Sequence, residues 1–203
     1  MTLDDTTRAR IESLIASDRV VLFMKGTREQ PMCGFSAATV DCLDALIDHY
    51  TTVNVLEDPE IREGIKRYSE WPTIPQLYIG GEFVGGCDIV KEMFNTGALH
   101  ETLGLPAPDR TPPDIELSDA AAELVRAALE DNPGMAVHLS IDARGEHALR
   151  LGPAEGHEVE ATSNGITVLM DVATAARARG LRIDCSEGFA GQQIEFRNPN
   201  LAA

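Results

Sequence analysis

Apolar positions along the first hundred residues switch between two periods. Ile11, Leu14 and Ile15 share one side of a short polar-faced helix over Thr6–Ile15, and Val20 to Met24 is an unbroken apolar run, the pattern of a strand buried on both faces. After a loop, Val40, Leu43, Leu46 and Ile47 return at helical spacing and predict a helix over Gly34–Tyr50. Thr52–Leu56 reads as a strand. Asp58-Pro59 joins an N-capping acid to a proline at the first helical position, and that helix runs to about Ser69. Gln76–Ile79 and Glu82–Val84 flank Gly80-Gly81 as a hairpin, and a last helical region capped by Asp88 reaches roughly Leu103. A leading helix followed by β, α, β, α, β, β, α predicts an α/β domain, a mixed sheet with flanking helices.

The pattern changes after residue 115. Ile115–Leu117 is a short strand, and Ser118 and Asp119 start a helix that ends at Asn132-Pro-Gly134 with Leu124, Val125, Ala128 and Leu129 on its apolar face. Val137, Leu139 and Ile141 alternate with polar residues, a half-buried strand. Ala148–Leu151, Ile166–Met170, Leu181–Cys185 and Ile194–Arg197 are further strand-like pieces, and Asn164-Gly165 marks a hairpin turn. The second half is therefore expected to be α+β and mostly β. Between the halves, Gly104 to Asp114 holds four of the chain's 11 prolines, which favours an extended, semi-rigid connector. This gives domains over 1–105 and 115–203 joined by a linker over 106–114.

Charge narrows the partners. The 203 residues carry 17 basic and 33 acidic side chains, a net charge of −16 spread evenly as −8 on each side of residue 110. Neither half has the cationic composition a phosphate backbone demands, so nucleic acid is not an expected partner. The longest apolar run has five residues, against the roughly 20 that span a bilayer, so no membrane partner is expected. The acidic start resembles neither a secretory nor a mitochondrial leader. Four cysteines at 33, 42, 87 and 185 form neither a disulfide framework nor paired zinc knuckles, and the expected setting is the reducing cytoplasm.

One of those cysteines has chemistry written around it. Cys33 follows the loop Met24-Lys-Gly-Thr-Arg-Glu-Gln-Pro-Met32 and starts a helix, where unpaired N–H groups and the helix dipole favour a thiolate; Lys25 adds positive charge. Trp71-Pro-Thr-Ile-Pro75 places a proline at a strand entry, and Gly85-Gly86-Cys87-Asp88 puts flexible backbone before another helix N-terminus.

Met-Lys-Gly-Thr, Pro-x-Cys-Gly-Phe-Ser, Trp-Pro-Thr-Ile-Pro-Gln and Gly-Gly-Cys-Asp-Ile, in that order over residues 5–105, resemble the monothiol glutaredoxins of the CGFS type. The resemblance implies a thioredoxin-like fold with Pro75 in the cis form. It makes Cys33 the glutathione-reactive and cluster-ligating cysteine, and Lys25 and Arg62 the holders of the glycyl carboxylate of glutathione. It further makes Ile74 the residue whose backbone pairs with the tripeptide like an added strand, and Cys87 and Asp88 the receivers of its γ-glutamyl end.

Ser36 stands where a dithiol motif would carry its second cysteine, so intramolecular disulfide exchange at this motif is closed. A [2Fe–2S] cluster wants four ligands; two chains supply two thiolates and two glutathiones the others, which implies a cluster-bridged homodimer with an easily transferred cluster. Cys42, nine residues beyond Cys33, falls on the opposite side of the predicted helix and about 13 Å along it, a structural position. Cys87 is either a disulfide partner of Cys33 in oxidised protein or a separate thiol.

Gly-Ile-Thr-Val-Leu-Met-Asp171, Leu-Arg-Ile-Asp-Cys-Ser-Glu-Gly188 and Ile-Glu-Phe-Arg-Asn-Pro-Asn200 are similar to the scaffold of A-type (HesB-like) iron–sulfur carriers. The family's early cysteine position falls at Ala143 to Glu146, which lacks one, and no Cys-Gly-Cys pair follows Asn200. Only the fold carries over, as a docking or dimerising module, and His138, His147 and His157 read as solvated surface residues. Together these readings make the chain a carrier that assembles or delivers clusters to acceptor proteins. The alternatives are a glutathione-dependent oxidoreductase removing glutathione from protein mixed disulfides, with residues 27–32 crowding its approach, and an iron or redox sensor acting through partner binding.

Overall fold

The structure is a computed structural model, and it describes residues 3–142, 144–188 and 191–201. The chain divides into two compact units, residues 1–107 and 108–203. Ala143, part of the turn compared above with the carriers, lies outside the described residues.

In the first unit, helix α1 (Asp5–Ile15) precedes strand β1 (Val20–Met24), α2 (Gly34–Asp44), β2 (Thr51–Asn54) and α3 (Pro59–Tyr68). Strands β3 (Gln76–Ile79) and β4 (Glu82–Gly85) then lead to α4 (Cys87–Thr96) and α5 (Ala98–Leu103). The sheet order is β2-β1-β3-β4, with β1 parallel to β2 and antiparallel to β3, as in a thioredoxin-like fold. The apolar run at Val20–Met24 has an evident cause, since β1 is central and all five of its residues are buried. Val21 and Phe23 pack into a core with Ile11, Ile15, Ile61, Ile65 and Tyr78, which fastens α1 and α3 to one face. Asp58 caps α3 as its spacing predicts, its Oδ1 accepting from the N–H of Glu60 and Ile61 at 3.1 Å each.

Three boundaries differ from the sequence pattern. Helix α2 stops at Asp44 rather than running to Tyr50, because the chain must turn there to bring Tyr50 into the core and enter β2. Strand β2 spans Thr51–Asn54, and the Asn54 carboxamide then accepts from Gly26 N–H at 2.9 Å and Leu56 N–H at 3.1 Å. The last helical region is two helices separated by Gly97 at φ 91°, and α4 is capped by Gly86, with Asp88 in its first turn rather than at the cap.

The second unit contains β5 (Ile115–Leu117), α6 (Asp119–Asp131), β6 (Ala136–Ile141), β7 (His147–Gly152), β8 (Val159–Ser163) and β9 (Ile166–Met170). It continues through α7 (Val172–Arg177), β10 (Leu181–Gly188) and β11 (Gly191–Arg197) to a 3-10 turn over Pro199–Leu201. Two sheets form, β11-β10-β5 and β7-β6-β9-β8, so this half is α+β and mostly β. Asn164 (φ 49°) and Gly165 (φ 74°) make the β8–β9 turn. Strand β8 and helix α7 are additions to the elements expected from pattern alone; Asp171 caps α7 by accepting from Thr174 N–H at 2.6 Å.

Candidate functional site

Cys33 is the N-cap of α2, in extended backbone (φ −156°, ψ 135°), with its carbonyl accepting from Ala37 N–H at 2.9 Å and its side chain making no capping bond. The thiol is partly exposed and flanked by two well-exposed apolar residues, Met32 (66%) and Phe35 (61%). Ser36 is fully buried, and its hydroxyl accepts from Lys25 N–H at 3.2 Å, so it ties the end of β1 to the first turn of α2.

Beside this helix start lies a cavity of about 500 Å³. Lys25, Arg62, Ile74, Cys87 and Asp88 all line it, brought together from the loop just after β1, α3, the segment before β3 and the start of α4. Cys33 does not line this cavity; its neighbour on the wall is Phe35, two residues on. Lys66, Trp71 and Thr73 line it too; Trp71 and Thr73 lie in the Trp-Pro-Thr-Ile-Pro motif with no role assigned to them, and Lys66 lies outside every motif. Lys66 had a signal, since it follows Arg62 by four residues and so shares its helix face. The Ile74–Pro75 peptide is cis, as the family resemblance implies. The segment leading to it is held from below by the buried Gln76, whose Nε2 donates to the Trp71 carbonyl at 2.9 Å and the Thr73 carbonyl at 3.1 Å.

Two donors in this wall are buried without a partner: Arg62 Nε and Trp71 Nε1. A buried donor left unpaired costs about 1–3 kcal/mol, so a ligand bringing acceptors into the cavity gains that much at each. With Lys25, Arg62 and Lys66 against Asp88 alone, the wall is cationic in an acidic chain, and the acceptors it fits are those of an anion. A peptide with free carboxylates suits this donor set.

Cys87 is 7% exposed, and burial pushes its thiol above the usual range, with Asp88 and Cys33 adding to the effect and Thr39 and Lys91 opposing it. None of Cys33, Cys42, Cys87 and Cys185 is in a disulfide. Among the described residues no group of three or more His, Cys, Asp or Glu side chains could hold a metal ion. His147 instead stacks on Phe196, His138 lies 3.1 Å from the Pro153 carbonyl, and His157 pairs with Glu155. No helix among the described residues is long and apolar enough to cross a membrane.

The glutaredoxin family model matches residues 20–84. The chloroplastic monothiol glutaredoxin-S14 of Arabidopsis thaliana is 58% identical over 91 residues, 45% of this chain and 53% of that protein, so the chain spans about half the length of that relative. A ycf64-like monothiol glutaredoxin of Synechocystis, itself uncharacterised, is 50% identical over 101 residues, 50% of this chain and 94% of that one. The solution structure of reduced poplar apo GrxS14 is 46% identical and covers 51% of this chain and 95% of that chain, with a TM-score of 0.46.

Proposed function

Because the chain belongs, over its first half, to the monothiol glutaredoxins, we propose that it binds glutathione beside Cys33 and carries a [2Fe–2S] cluster between two copies for delivery to acceptor proteins. The observation that carries this reading is the pair of buried, unpartnered donors, Arg62 Nε and Trp71 Nε1, in a cationic cavity adjoining the start of the helix that Cys33 caps. Lys25 and Arg62 hold the glycyl carboxylate, the backbone at Ile74 pairs with the tripeptide, and the start of α4 at Cys87 and Asp88 receives the γ-glutamyl end. Cys33 gives the cluster its only ligand from each chain, and the glutathione thiolates complete the set. Half of the ligands are then exchangeable, which suits transfer better than storage.

Anaerobic reconstitution with iron, sulfide and glutathione tests this. Visible absorption and a dimeric elution volume that both require Cys33 and glutathione support the cluster carrier. A colourless monomer under all conditions overturns it.

A second reading has its own support. The Cys33 thiol is partly exposed and residues 27–32 contribute nothing to the cavity wall, which supports access of a mixed disulfide to it. Glutathione-dependent reduction of mixed disulfides follows: the Cys33 thiolate attacks the glutathione sulfur, the protein thiolate leaves and takes up a proton, and Cys33 is left as a mixed disulfide with glutathione. A second glutathione thiolate attacks that disulfide, releasing glutathione disulfide and restoring Cys33. Brisk turnover of a glutathionylated protein without cluster formation would select this reading. For the second unit we propose an A-type carrier scaffold without ligands, used for docking, on the strength of its strand and Asn198-Pro-Asn200 pattern. A partner captured only by the cluster-loaded protein would favour a sensing role instead.

A further inference from the structure

The loop leading into Cys33 is a small hairpin. Its arms are Lys25-Gly26 and Pro31-Met32, joined by a bridge between Gly26 and Pro31 and by Met32 N–H donating to the Lys25 carbonyl at 2.9 Å. At the tip, Thr27 N–H donates to the Gln30 carbonyl at 3.2 Å and Gln30 N–H donates to Thr27 Oγ1 at 3.1 Å. One arm begins at the cation Lys25, and the other runs directly into Cys33. The hairpin therefore sets the spacing of two groups that act on one ligand in the function proposed above.

Arg28 carries the tip to the other end of α2. Its Nε lies 2.8 Å from Asp44 Oδ1, on the last residue of the helix that Cys33 caps, and its Nη1 donates to the Asp48 carbonyl at 2.8 Å. Its guanidinium sits over the Tyr50 ring, 4.5 Å from the centroid. Tyr50 is buried, and its hydroxyl donates to the same Asp44 oxygen at 2.7 Å. Burial, followed by the Asp44 carboxylate, pushes the Tyr50 phenol well above its usual range, so it stays a donor. A planar cation that pairs, donates and stacks at once is a task for arginine; lysine reproduces the charge but not the fork or the stacking.

We infer that Arg28 is a positioning residue for Cys33: by clamping the hairpin tip to Asp44, Asp48 and Tyr50, it fixes the loop that spaces Lys25 from the thiol. The inference rests on the glutathione reading for its functional consequence but not for its structural one. A hairpin that held itself would make the clamp idle, and the experiment separates these cases.

In the full chain, Arg28→Ala, Arg28→Lys, Asp44→Asn and the Arg28→Ala/Asp44→Asn pair are compared by the pH–rate profile of Cys33 alkylation with iodoacetamide, by glutathione affinity and by urea unfolding. Arg28→Ala is expected to change the alkylation profile and to weaken glutathione about three- to tenfold, with partial recovery in Arg28→Lys. The double variant should fall short of additivity, because the two changes share the Arg28–Asp44 ion pair. An Arg28→Ala protein that unfolds cooperatively with a wild-type alkylation profile overturns the proposal, as does full additivity in the double variant. Should the wild-type chain bind no glutathione, the functional reading fails while the alkylation profile still decides the role of Arg28.

Discussion

Ser36 accepts a hydrogen bond from the backbone N–H of Lys25, although it lies eleven positions further along the sequence. Strand β1 pairs with β3 only as far as Phe23 and Gln76, because β3 begins just after Pro75. Lys25 therefore lies beyond the ladder, and the buried serine hydroxyl is the acceptor its N–H finds. The serine of the Cys-Gly-Phe-Ser motif is a structural part of the site as well as the place where a second thiol is missing.

Ser36→Ala should accordingly destabilise the chain by about 1 kcal/mol, the net worth of a part-buried hydrogen bond. Ser36→Cys should also lose stability, because sulfur is a weak acceptor, while adding a thiol three residues from Cys33. Urea unfolding under reducing conditions checks both; an unchanged midpoint in Ser36→Ala would show that the bond contributes nothing.

Arg62 and Lys66 face the cavity from one helix but begin from different states. Arg62 Nε has no partner, whereas Lys66 already pairs with Glu63 at 2.8 Å. Arg62→Ala should weaken glutathione about tenfold or more, the scale of a charge-assisted hydrogen bond, and Lys66→Gln considerably less. Trp71, the only tryptophan, lines the same cavity, so its fluorescence reports binding directly. Equal losses in the two variants would contradict the assignment of the unpaired donor as the main anchor.

Cys87 should react more slowly than Cys33. Burial raises its thiol above the ordinary value of 9.0, so the thiolate fraction stays small at a pH where a free cysteine is half ionised. Iodoacetamide at about pH 9, followed by peptide mapping, should modify Cys33 first and Cys87 only after longer exposure. Early labelling at Cys87 would mean that its burial is opened readily in solution.

Two glycines on either side of Cys33 should behave oppositely. Gly26 has φ +88°, and a Cβ there would run into the Gln30 carbonyl oxygen and meet Met32 N at 2.7 Å. Gly26→Ala should cost at least about 1–3 kcal/mol through backbone strain and break the hairpin before the thiol. Gly34 opens α2 with nothing within 4 Å of the place a Cβ would take, so Gly34→Ala should be neutral or stabilising by up to about 1 kcal/mol. Thermal unfolding of the two variants in parallel distinguishes them.

What could be read in advance follows the range of the forces involved. Val20–Met24, Asp58-Pro59 and Asn164-Gly165 announce a strand, a helix start and a turn through neighbours in sequence, and all three stand in the structure. The end of α2 at Asp44 was illegible because Arg28 and Tyr50, sixteen residues before it and six after, meet there. The cavity wall was partly legible: the family resemblance named Lys25, Arg62, Ile74, Cys87 and Asp88, but nothing local marks Trp71 as carrying an unpaired buried donor. The buried Gln76 that holds the Trp71 and Thr73 carbonyls has no signal in a pattern of apolar and polar positions either.

The helix that brings Arg62 and Lys66 to the cavity depends on an acid at its start. Asp58 accepts from the N–H groups of Glu60 and Ile61 and pairs with Arg10, and the Ile61 N–H and then the Arg10 contacts hold its carboxyl below the ordinary value of 3.8. A carboxyl with a lowered folded pKa stabilises the fold above its unfolded value, and that contribution is lost as the pH falls through the folded one. The first unit should therefore lose part of its stability below about pH 4. Asp58→Asn keeps a good cap but cannot titrate, so it should flatten this acid limb while starting from lower stability at neutral pH, where the Arg10 pairing is gone. Urea midpoints measured from neutral pH into that acid range give the two curves. Parallel curves would assign the acid sensitivity to other carboxyls.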